Sequence, residues 1–198
     1  MKLQIPDGDF SAYLFDCDGT IVDSMPLHFK AWTHVLAAEG CPFPEDQFYA
    51  LGGVPPIRIV ELLNGQHGLA MDASLVAGRK EEHYYAILHE LEPVHEVVEI
   101  IHAMHGRIPF AVVSGSSRDS VEKSLGHLGL SDKFPVRVCA EDYAHGKPDP
   151  ECFLRAAALL GVAPERCLVF EDTDLGIQAA QAAGMQWARI PAPWERKK

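Results

Sequence analysis

The stretch YLFDCDGT, residues 13–20, joins a short apolar run to a turn that carries two acidic side chains. A continuous apolar run bounded by turn residues is typical of a buried β-strand, and the glycine that follows marks a turn. The pattern therefore predicts a first strand that ends at Asp16 and Asp18. The second half of the chain repeats this arrangement of an apolar strand followed by a polar loop.

Four further strands are predicted in that second half, and helices are predicted between them. The strands span about residues 109–113, 136–140, 167–170 and 186–190. The helices span about residues 94–104, 118–128, 150–160 and 175–183. Alternating strands and helices indicate a parallel sheet with helices on both faces. We therefore predict an α/β fold, a three-layer Rossmann-like parallel sheet.

Residues 24–91 interrupt this alternation because they have helical composition and no strand signal. This pattern predicts a small all-helical cap, inserted directly after the first strand. The predicted domains are a core of residues 1–23 and 92–198 and a cap of residues 24–91.

Composition and charge exclude several classes of function. The 198 residues carry a net charge of −11 at pH 7, whereas nucleic acids and anionic membranes bind basic surfaces. No apolar run approaches the roughly 18 residues of a membrane-spanning helix, and the first residues, MKLQIPD, lack the apolar segment of a secretion signal. Five cysteines without C-x-x-C spacing are typical of a reduced chain. We expect a cytoplasmic monomer that binds neither nucleic acid nor membrane.

Polar side chains follow four of the predicted strands at the points where the strands end. They are Asp16 and Asp18, the turn Ser114-Gly115-Ser116, Lys147, and the pair Glu171 and Asp172. Ligands of open parallel sheets bind beyond the carboxyl ends of the strands, so we expect these groups to converge. Clustered carboxylates resist ionising together, and Mg²⁺, which prefers oxygen ligands, relieves their repulsion. With a lysine and a turn that can bind anions, the set predicts phosphoryl transfer to a carboxylate nucleophile.

The order of these motifs resembles that of the haloacid dehalogenase superfamily of phosphatases and phosphomutases. The matching stretches are FDCDGT at 15–20, VSGS at 113–116, GKPDP at 146–150 and VFED at 169–172. The resemblance covers essentially the whole chain and is greatest to the β-phosphoglucomutase-like branch, which has a small helical cap. The stretches HGR at 105–107 and FEDTDLGIQAA at 170–180 are similar to bacterial fructose-1-phosphate and 6-phosphogluconate phosphatases.

The resemblance implies a role for each residue that handles the phosphoryl group. Asp16 is implied as the nucleophile, and Asp18 as the general acid that later activates water. Ser114, the Gly115 N–H and Lys147 are implied to hold the transferring phosphoryl oxygens, where charge must be compensated.

The resemblance also implies a Mg²⁺ site. Its ligands would be Asp16, the backbone carbonyl of Asp18 and Asp172, with Glu171 close by or acting through water. A structural role competes with this interpretation, because acidic residues such as Glu171 and Asp172 also favour the start of the following helix.

Substrate contacts are predicted in the cap at His28, Trp32 and Arg58. The competing interpretations place His28 and Trp32 in the interior of the cap and Arg58 on a solvated helix face. By the resemblance, the cap is a lid that closes on a small phosphorylated metabolite, excludes bulk water and selects the substrate.

The favoured hypothesis is a Mg²⁺-dependent phosphatase that hydrolyses a small sugar phosphate through an aspartyl-phosphate intermediate. The mutases of the family carry a lysine in the first cap loop, where this chain has GGVPP at 52–56, so a β-phosphoglucomutase-like sugar phosphomutase is the second hypothesis. A non-catalytic sugar-phosphate sensor is the third, and the intact pair of Asp16 and Asp18 disfavours it.

Overall fold

A computed structural model describes residues 3–51, 54–192 and 195 of the chain. The first two residues of the N-terminal segment considered above lie outside the described residues. So do Gly52 and Gly53 of the predicted break at 52–56.

Five parallel strands form one sheet. They are β1 (Ala12–Phe15), β2 (Phe110–Val113), β3 (Val136–Val138), β4 (Cys167–Glu171) and β5 (Gln186–Arg189), in the spatial order β3-β2-β1-β4-β5. The central strand β1 pairs with β2 on one side and with β4 on the other. Parallel neighbours require crossover connections, and helices supply them here. The predicted fold class is confirmed.

Eight helices accompany the strands among the described residues. They are α1 (Met25–Ala38), α2 (Glu45–Ala50), α3 (Pro56–His67), α4 (Ala73–Ala86), α5 (His95–Met104), α6 (Arg118–His127), α7 (Glu151–Leu160) and α8 (Asp174–Ala182). The sequence did not predict α2, because six residues are too few for a helical period to show. Strand β3 ends two residues earlier than predicted, because Ala140–Asp142 form a 3₁₀ turn.

The two faces of the sheet bury different side chains, because successive residues of a strand point in opposite directions. One face is aliphatic: Leu14 and Val169 pack with Phe153 of α7 and Ala179 of α8. The other face is aromatic, and its ring contacts join Tyr13, Phe15, Phe110, Phe134 and Phe170. Both faces are therefore covered, and polar groups are left to the ends of the strands.

The chain divides into two compact units, one of residues Met1–Asp23 with Glu92–Lys198 and one of residues Ser24–Leu91. We call them the sheet unit and the helical unit. Where the chain leaves and rejoins the sheet unit, its two segments are hydrogen-bonded. The Asp23 N–H donates to the Glu92 carbonyl at 2.8 Å, and the Val94 N–H donates to the Ile21 carbonyl at 2.9 Å.

The helical unit has an apolar interior of its own. Helix α4 packs against α1 and α3. The buried cluster includes Trp32, Leu36, Phe48, Val60 and Leu63. Because burial of apolar area stabilises a fold by about 25 cal/mol per Å², this cluster is what holds the helices together.

The structure also reports on long apolar helices and on the cysteines, which the composition raised above. Among the described residues, no helix combines the length and apolar character needed to cross a membrane. The five cysteine thiols are free and buried.

Candidate active site

Asp16 and Lys147 form the centre of a cluster of charged groups at the carboxyl ends of the strands. Asp16 directly follows β1, and its N–H donates to the Phe170 carbonyl of β4 at 3.0 Å. The Lys147 ammonium donates to Asp16 Oδ1 at 2.7 Å and to Glu171 Oε2 at 2.6 Å. It also donates to the Val113 carbonyl at 3.3 Å. Lys147 therefore links the ends of three neighbouring strands.

Glu171 is the last residue of β4 and is fully buried. Its Oε1 accepts hydrogen bonds from the Thr173 N–H at 3.0 Å and from the Thr173 hydroxyl at 2.7 Å. Gly176, in the first turn of α8, makes room for this carboxylate, since a Cβ there would lie 2.0 Å from the Glu171 carboxyl carbon. The start of α8 is therefore shaped around the Glu171 side chain.

Asp172 lies beside the turn that follows β1. The Thr20 hydroxyl donates to Asp172 Oδ1 at 3.2 Å. Gly19 has a φ of +86°, and a Cβ there would lie 2.3 Å from Asp172 Oδ2. Glycine is the residue that accepts this backbone conformation without steric cost, and here it also lets Asp172 approach the turn.

The electrostatics of the cluster follow from burial and from the closeness of its carboxylates. Burial, reinforced by Glu171, raises the pKa of Asp16 well above its usual value. The same two causes raise the pKa of Asp172 to about 7. Burial alone lowers the pKa of Lys147, but Asp16 and Glu171 outweigh it and raise that pKa. Three carboxylates thus share one cation, and the site has a surplus of negative charge.

The donor set fits a hard divalent cation. Carboxylate oxygens of Asp16, Glu171 and Asp172 lie within 4.8 Å of one another. These are the oxygen ligands that Mg²⁺ prefers, and a cation would offset the repulsion from Glu171 that, after burial, raises the pKa values of Asp16 and Asp172. The residues present therefore suit the magnesium ion that the sequence predicts.

Asp18 is held by the turn after β2. The Ser116 hydroxyl donates to Asp18 Oδ2 at 2.6 Å, and the Ser116 N–H donates to Ser114 Oγ at 3.0 Å. Ser114 is buried, and its carbonyl accepts a hydrogen bond from the Tyr143 hydroxyl at 3.0 Å. This turn, which includes Gly115, therefore contacts both Asp18 and the loop that carries Lys147.

The three residues predicted in the cap lie in the helical unit. Trp32 is 2% exposed and belongs to the apolar cluster. The ring of His28 stacks on Tyr84 with 4.1 Å between centroids, and its Nδ1 lies 2.9 Å from the Lys80 ammonium. The Arg58 side chain is 60% exposed and pairs with Glu61. Their predicted substrate contacts stay predictions.

The sequence placed Ser116 in the predicted turn but did not indicate its bond to Asp18. Sequence reasoning did not single out three other residues that shape the site. Thr173 and Gly176 accommodate Glu171, and Tyr143 bonds the Ser114 carbonyl. Gly176 is the one with a sequence signal, because a glycine inside a helix costs stability and calls for a packing reason.

A comparison with protein families identifies the class to which this fold and site belong. The model of the haloacid dehalogenase-like hydrolases matches residues 10–184. The chain therefore belongs to the haloacid dehalogenase-like hydrolase family.

Individual relatives show which members of the family this chain is similar to. Fructose-1-phosphate phosphatase YqaB of Escherichia coli (strain K12) is 40% identical over 177 residues, which are 89% of this chain and 94% of that protein. The β-phosphoglucomutase of Bacillus subtilis (strain 168) is 31% identical over 182 residues, 88% of this chain and 80% of that protein. A crystal structure of β-phosphoglucomutase from Clostridium difficile superposes with a TM-score of 0.75 at 25% identity, covering 90% of this chain and 83% of that chain. The predictions of a β-phosphoglucomutase-like family member and of a phosphoric monoester hydrolase are confirmed.

Proposed function

We propose that this protein is a Mg²⁺-dependent phosphatase that hydrolyses a small sugar phosphate through an aspartyl-phosphate intermediate on Asp16. The observation that carries the proposal is the joining of Asp16, Lys147 and Glu171 by hydrogen bonds of 2.6–2.7 Å in a buried site. A nucleophilic carboxylate beside a lysine and a metal-ligating set is what phosphoryl transfer to an aspartate requires.

The first half-reaction forms the aspartyl-phosphate. A carboxylate oxygen of Asp16 attacks the phosphorus atom while the bond from phosphorus to the sugar oxygen breaks. Asp18, in its carboxylic acid form, donates its proton to that leaving oxygen, so the sugar departs as a neutral alcohol. General acid catalysis of this kind contributes about 10²–10⁴-fold to a rate.

The second half-reaction returns Asp16 to its free form. Asp18, now a carboxylate, accepts a proton from a water molecule whose oxygen attacks the phosphorus. The bond between phosphorus and Asp16 breaks, and inorganic phosphate leaves. The 2.6 Å hydrogen bond from Ser116 supports this role because it fixes the orientation of the Asp18 carboxyl group.

Binding of the phosphoryl group is assigned to Ser114, Gly115 and Lys147. Lys147 carries its charge within a buried site, where an ion attracts the developing negative charge more strongly than in water. When a phosphoryl group enters, the ammonium can give up one carboxylate partner for a phosphoryl oxygen and keep the other.

Asp16, Asp172 and the backbone carbonyl of Asp18 would hold the magnesium ion, with Glu171 beside them. Its charge would offset that of the carboxylates and of the phosphoryl oxygens. The fully buried Glu171, bonded to Lys147 and Thr173, would fix the position of Lys147 relative to this set.

The choice of a sugar phosphate as substrate rests on the relatives. The 40% identical protein is named a fructose-1-phosphate phosphatase, and the 31% identical one a β-phosphoglucomutase. The higher identity favours hydrolysis over isomerisation. We assign substrate selection to the helical unit, with His28, Trp32 and Arg58 as the candidate contacts.

The test is phosphate release from a panel of sugar phosphates, with and without Mg²⁺, by the wild type and Asp18→Asn. We expect Mg²⁺-dependent release that falls at least about 100-fold in the variant. Asp119→Asn is the matched control, because this exposed aspartate of α6 pairs only with Lys123 among the described groups. Absence of release by folded wild type would overturn the phosphatase. Isomerisation of a sugar 1-phosphate in the presence of a bisphosphate would establish the mutase instead.

A further inference from the structure

A pocket lies at the amino ends of the strands, whereas the candidate active site lies at their carboxyl ends. It has a volume of about 320 Å³, and it is lined by residues 105–110 and by residues 132, 133 and 135. These segments lead into the amino ends of β2 and β3, whereas Ser114 follows the carboxyl end of β2. Because a strand rises about 3.3 Å per residue, the four residues of β2 separate the two places by roughly 13 Å. The pocket is therefore distinct from the phosphoryl-transfer site.

The charged groups of this pocket are mostly cationic. Arg107 and Lys133 are the two cations of its lining. Asp132 is the one carboxylate in the lining, and its Oδ2 accepts a hydrogen bond from the Lys133 ammonium at 3.0 Å. The pocket is thus net positive in a chain whose net charge is −11.

Donor capacity in the pocket exceeds what the protein uses. The Arg107 guanidinium has no side-chain hydrogen bond or ion pair with any residue that the structure describes. An arginine has five N–H donors and a lysine has three. The ammonium of Lys133 uses one of its donors in the hydrogen bond to Asp132. Unused donors of residues that line a concave surface favour an anion.

The backbone that carries these cations is held in place. The Arg107 N–H donates to the Met104 carbonyl at 3.0 Å, and Gly106 takes the left-handed conformation with a φ of +79°. The Lys133 N–H donates to the Leu130 carbonyl at 3.0 Å, and the next residue, Phe134, is fully buried. Binding an anion therefore requires ordering of side chains only, which lowers its entropic cost.

We propose that this pocket binds the phosphate group of a small phosphomonoester at a second, non-catalytic site. The guanidinium of Arg107 can donate to two phosphate oxygens at once, and the ammonium of Lys133 can bind the third. The apolar residues Ile108 and Pro135, which also line the pocket, can contact the carbon skeleton of the ligand. The proposal stands whether or not Asp16 is the nucleophile, because it concerns binding at another edge of the sheet.

The experiment is a titration of metal-free Asp16→Asn protein, followed by NMR at the backbone amides of Gly106 and Lys133. The probes are inorganic phosphate and glucose 6-phosphate. We expect saturable shifts at both amides for both probes. The additional changes Arg107→Gln and Lys133→Gln should weaken binding at these amides at least tenfold and leave the titration of the Gly115 amide unchanged. Arg155→Gln is the control, since this exposed arginine of α7 lies outside the pocket.

Three results would overturn the proposal. The first is a shift that stays linear in probe concentration, and the second is an equal shift with sodium acetate at matched ionic strength. The third is a double variant that melts at a lower temperature yet binds phosphate unchanged. That result would mean that the cations only stabilise the C-terminal carbonyls of α5, which attract positive charge.

Discussion

The sheet unit and the helical unit place charge differently. The sheet unit buries Asp16 and Glu171 side by side, with Asp172 next to them and a single cation, Lys147, between. Among the described residues of the helical unit, Lys80 is the only charged side chain that is buried. Buried like charges oppose folding, so a cluster of them is a candidate site for chemistry.

Lys80 shows the opposite arrangement, in which a buried charge is satisfied locally. Its ammonium bonds to Glu81 at 2.8 Å and to His28 at 2.9 Å. It also lies 5.3 Å from the ring centre of Tyr84, within the range of a cation–π contact. We therefore expect substitutions of buried charged residues to remove activity in the sheet unit, and substitutions of buried residues to remove stability in the helical unit.

The largest expected effect is at Asp16. Asp16→Asn keeps the shape of the side chain but removes the nucleophile, so turnover should fall about 10⁴-fold or more. The melting temperature should not fall, because Lys147 keeps Glu171 as a partner and one buried carboxylate is gone. Phosphate release and thermal melting would be measured together. Asp174→Asn, at an aspartate whose side chain is 77% exposed, should stay within twofold of wild type. Turnover by Asp16→Asn close to that of wild type would contradict the assignment of Asp16 as the nucleophile.

The next effect is in the helical unit. Trp32→Ala should lower stability by about 3–5 kcal/mol, because it empties a site in the apolar cluster. Denaturant unfolding measures the loss. Arg58→Gln is its counterpart on the surface, and its stability should stay within about 0.5 kcal/mol of wild type. The predicted substrate contact of Arg58 requires a higher KM in that variant, and an unchanged KM would remove Arg58 from the site.

Gly176 in α8 and Gly78 in α4 are both glycines inside helices, but their surroundings differ. Gly176→Ala should destabilise the protein by about 1–3 kcal/mol and reduce phosphate release, since the new methyl group must displace the Glu171 carboxylate. Gly78→Ala, in α4, meets nothing within 4 Å and should raise stability by about 0.5–1 kcal/mol. An equal change in stability for the two alanine variants, measured by denaturant unfolding, would show that the Glu171 carboxylate moves without a loss of stability.

The smallest expected effect is at two adjacent serines, Ser116 and Ser117, which should differ in whether kcat or stability falls. Ser116→Ala removes a hydrogen bond to Asp18 and should lower kcat about tenfold, the equivalent of about 1.4 kcal/mol. Ser117→Ala removes the side-chain cap of α6, where Ser117 Oγ accepts from the Ser120 N–H. It should cost about 1 kcal/mol of stability and leave kcat unchanged. Steady-state kinetics and thermal melting of the pair would decide, and the reverse pattern would contradict the assignment of Ser116.

The sequence predicted the fold and the location of the charged groups because both follow from strand ends. An apolar run followed by Asp16 or Lys147 reports where a side chain emerges from a parallel sheet. It does not report which partner the side chain takes. The bridge from Lys147 to Asp16 and Glu171 depends on neighbouring strands distant in sequence, and so does the bond from Ser116 to Asp18.

The helical unit offered fewer such constraints. A helix turns through all directions within four residues, so an aromatic residue such as Trp32 has the same sequence pattern in an interior and at a pocket wall. The six residues of α2 carry too little periodicity to predict a helix at all. Prediction therefore worked best where topology fixes direction.

The hydrogen bonds that tie Asp23 to Glu92 and Ile21 to Val94 have a consequence for how such a gene can change. The chain leaves the sheet unit before residue 24 and returns to it after residue 91, and these two places are joined by the hydrogen bonds. Insertions are tolerated where the two ends of the inserted part lie close together. One insert can therefore be removed from the gene and another put in its place, while β1, which leads into Asp16, keeps its neighbours β2 and β4.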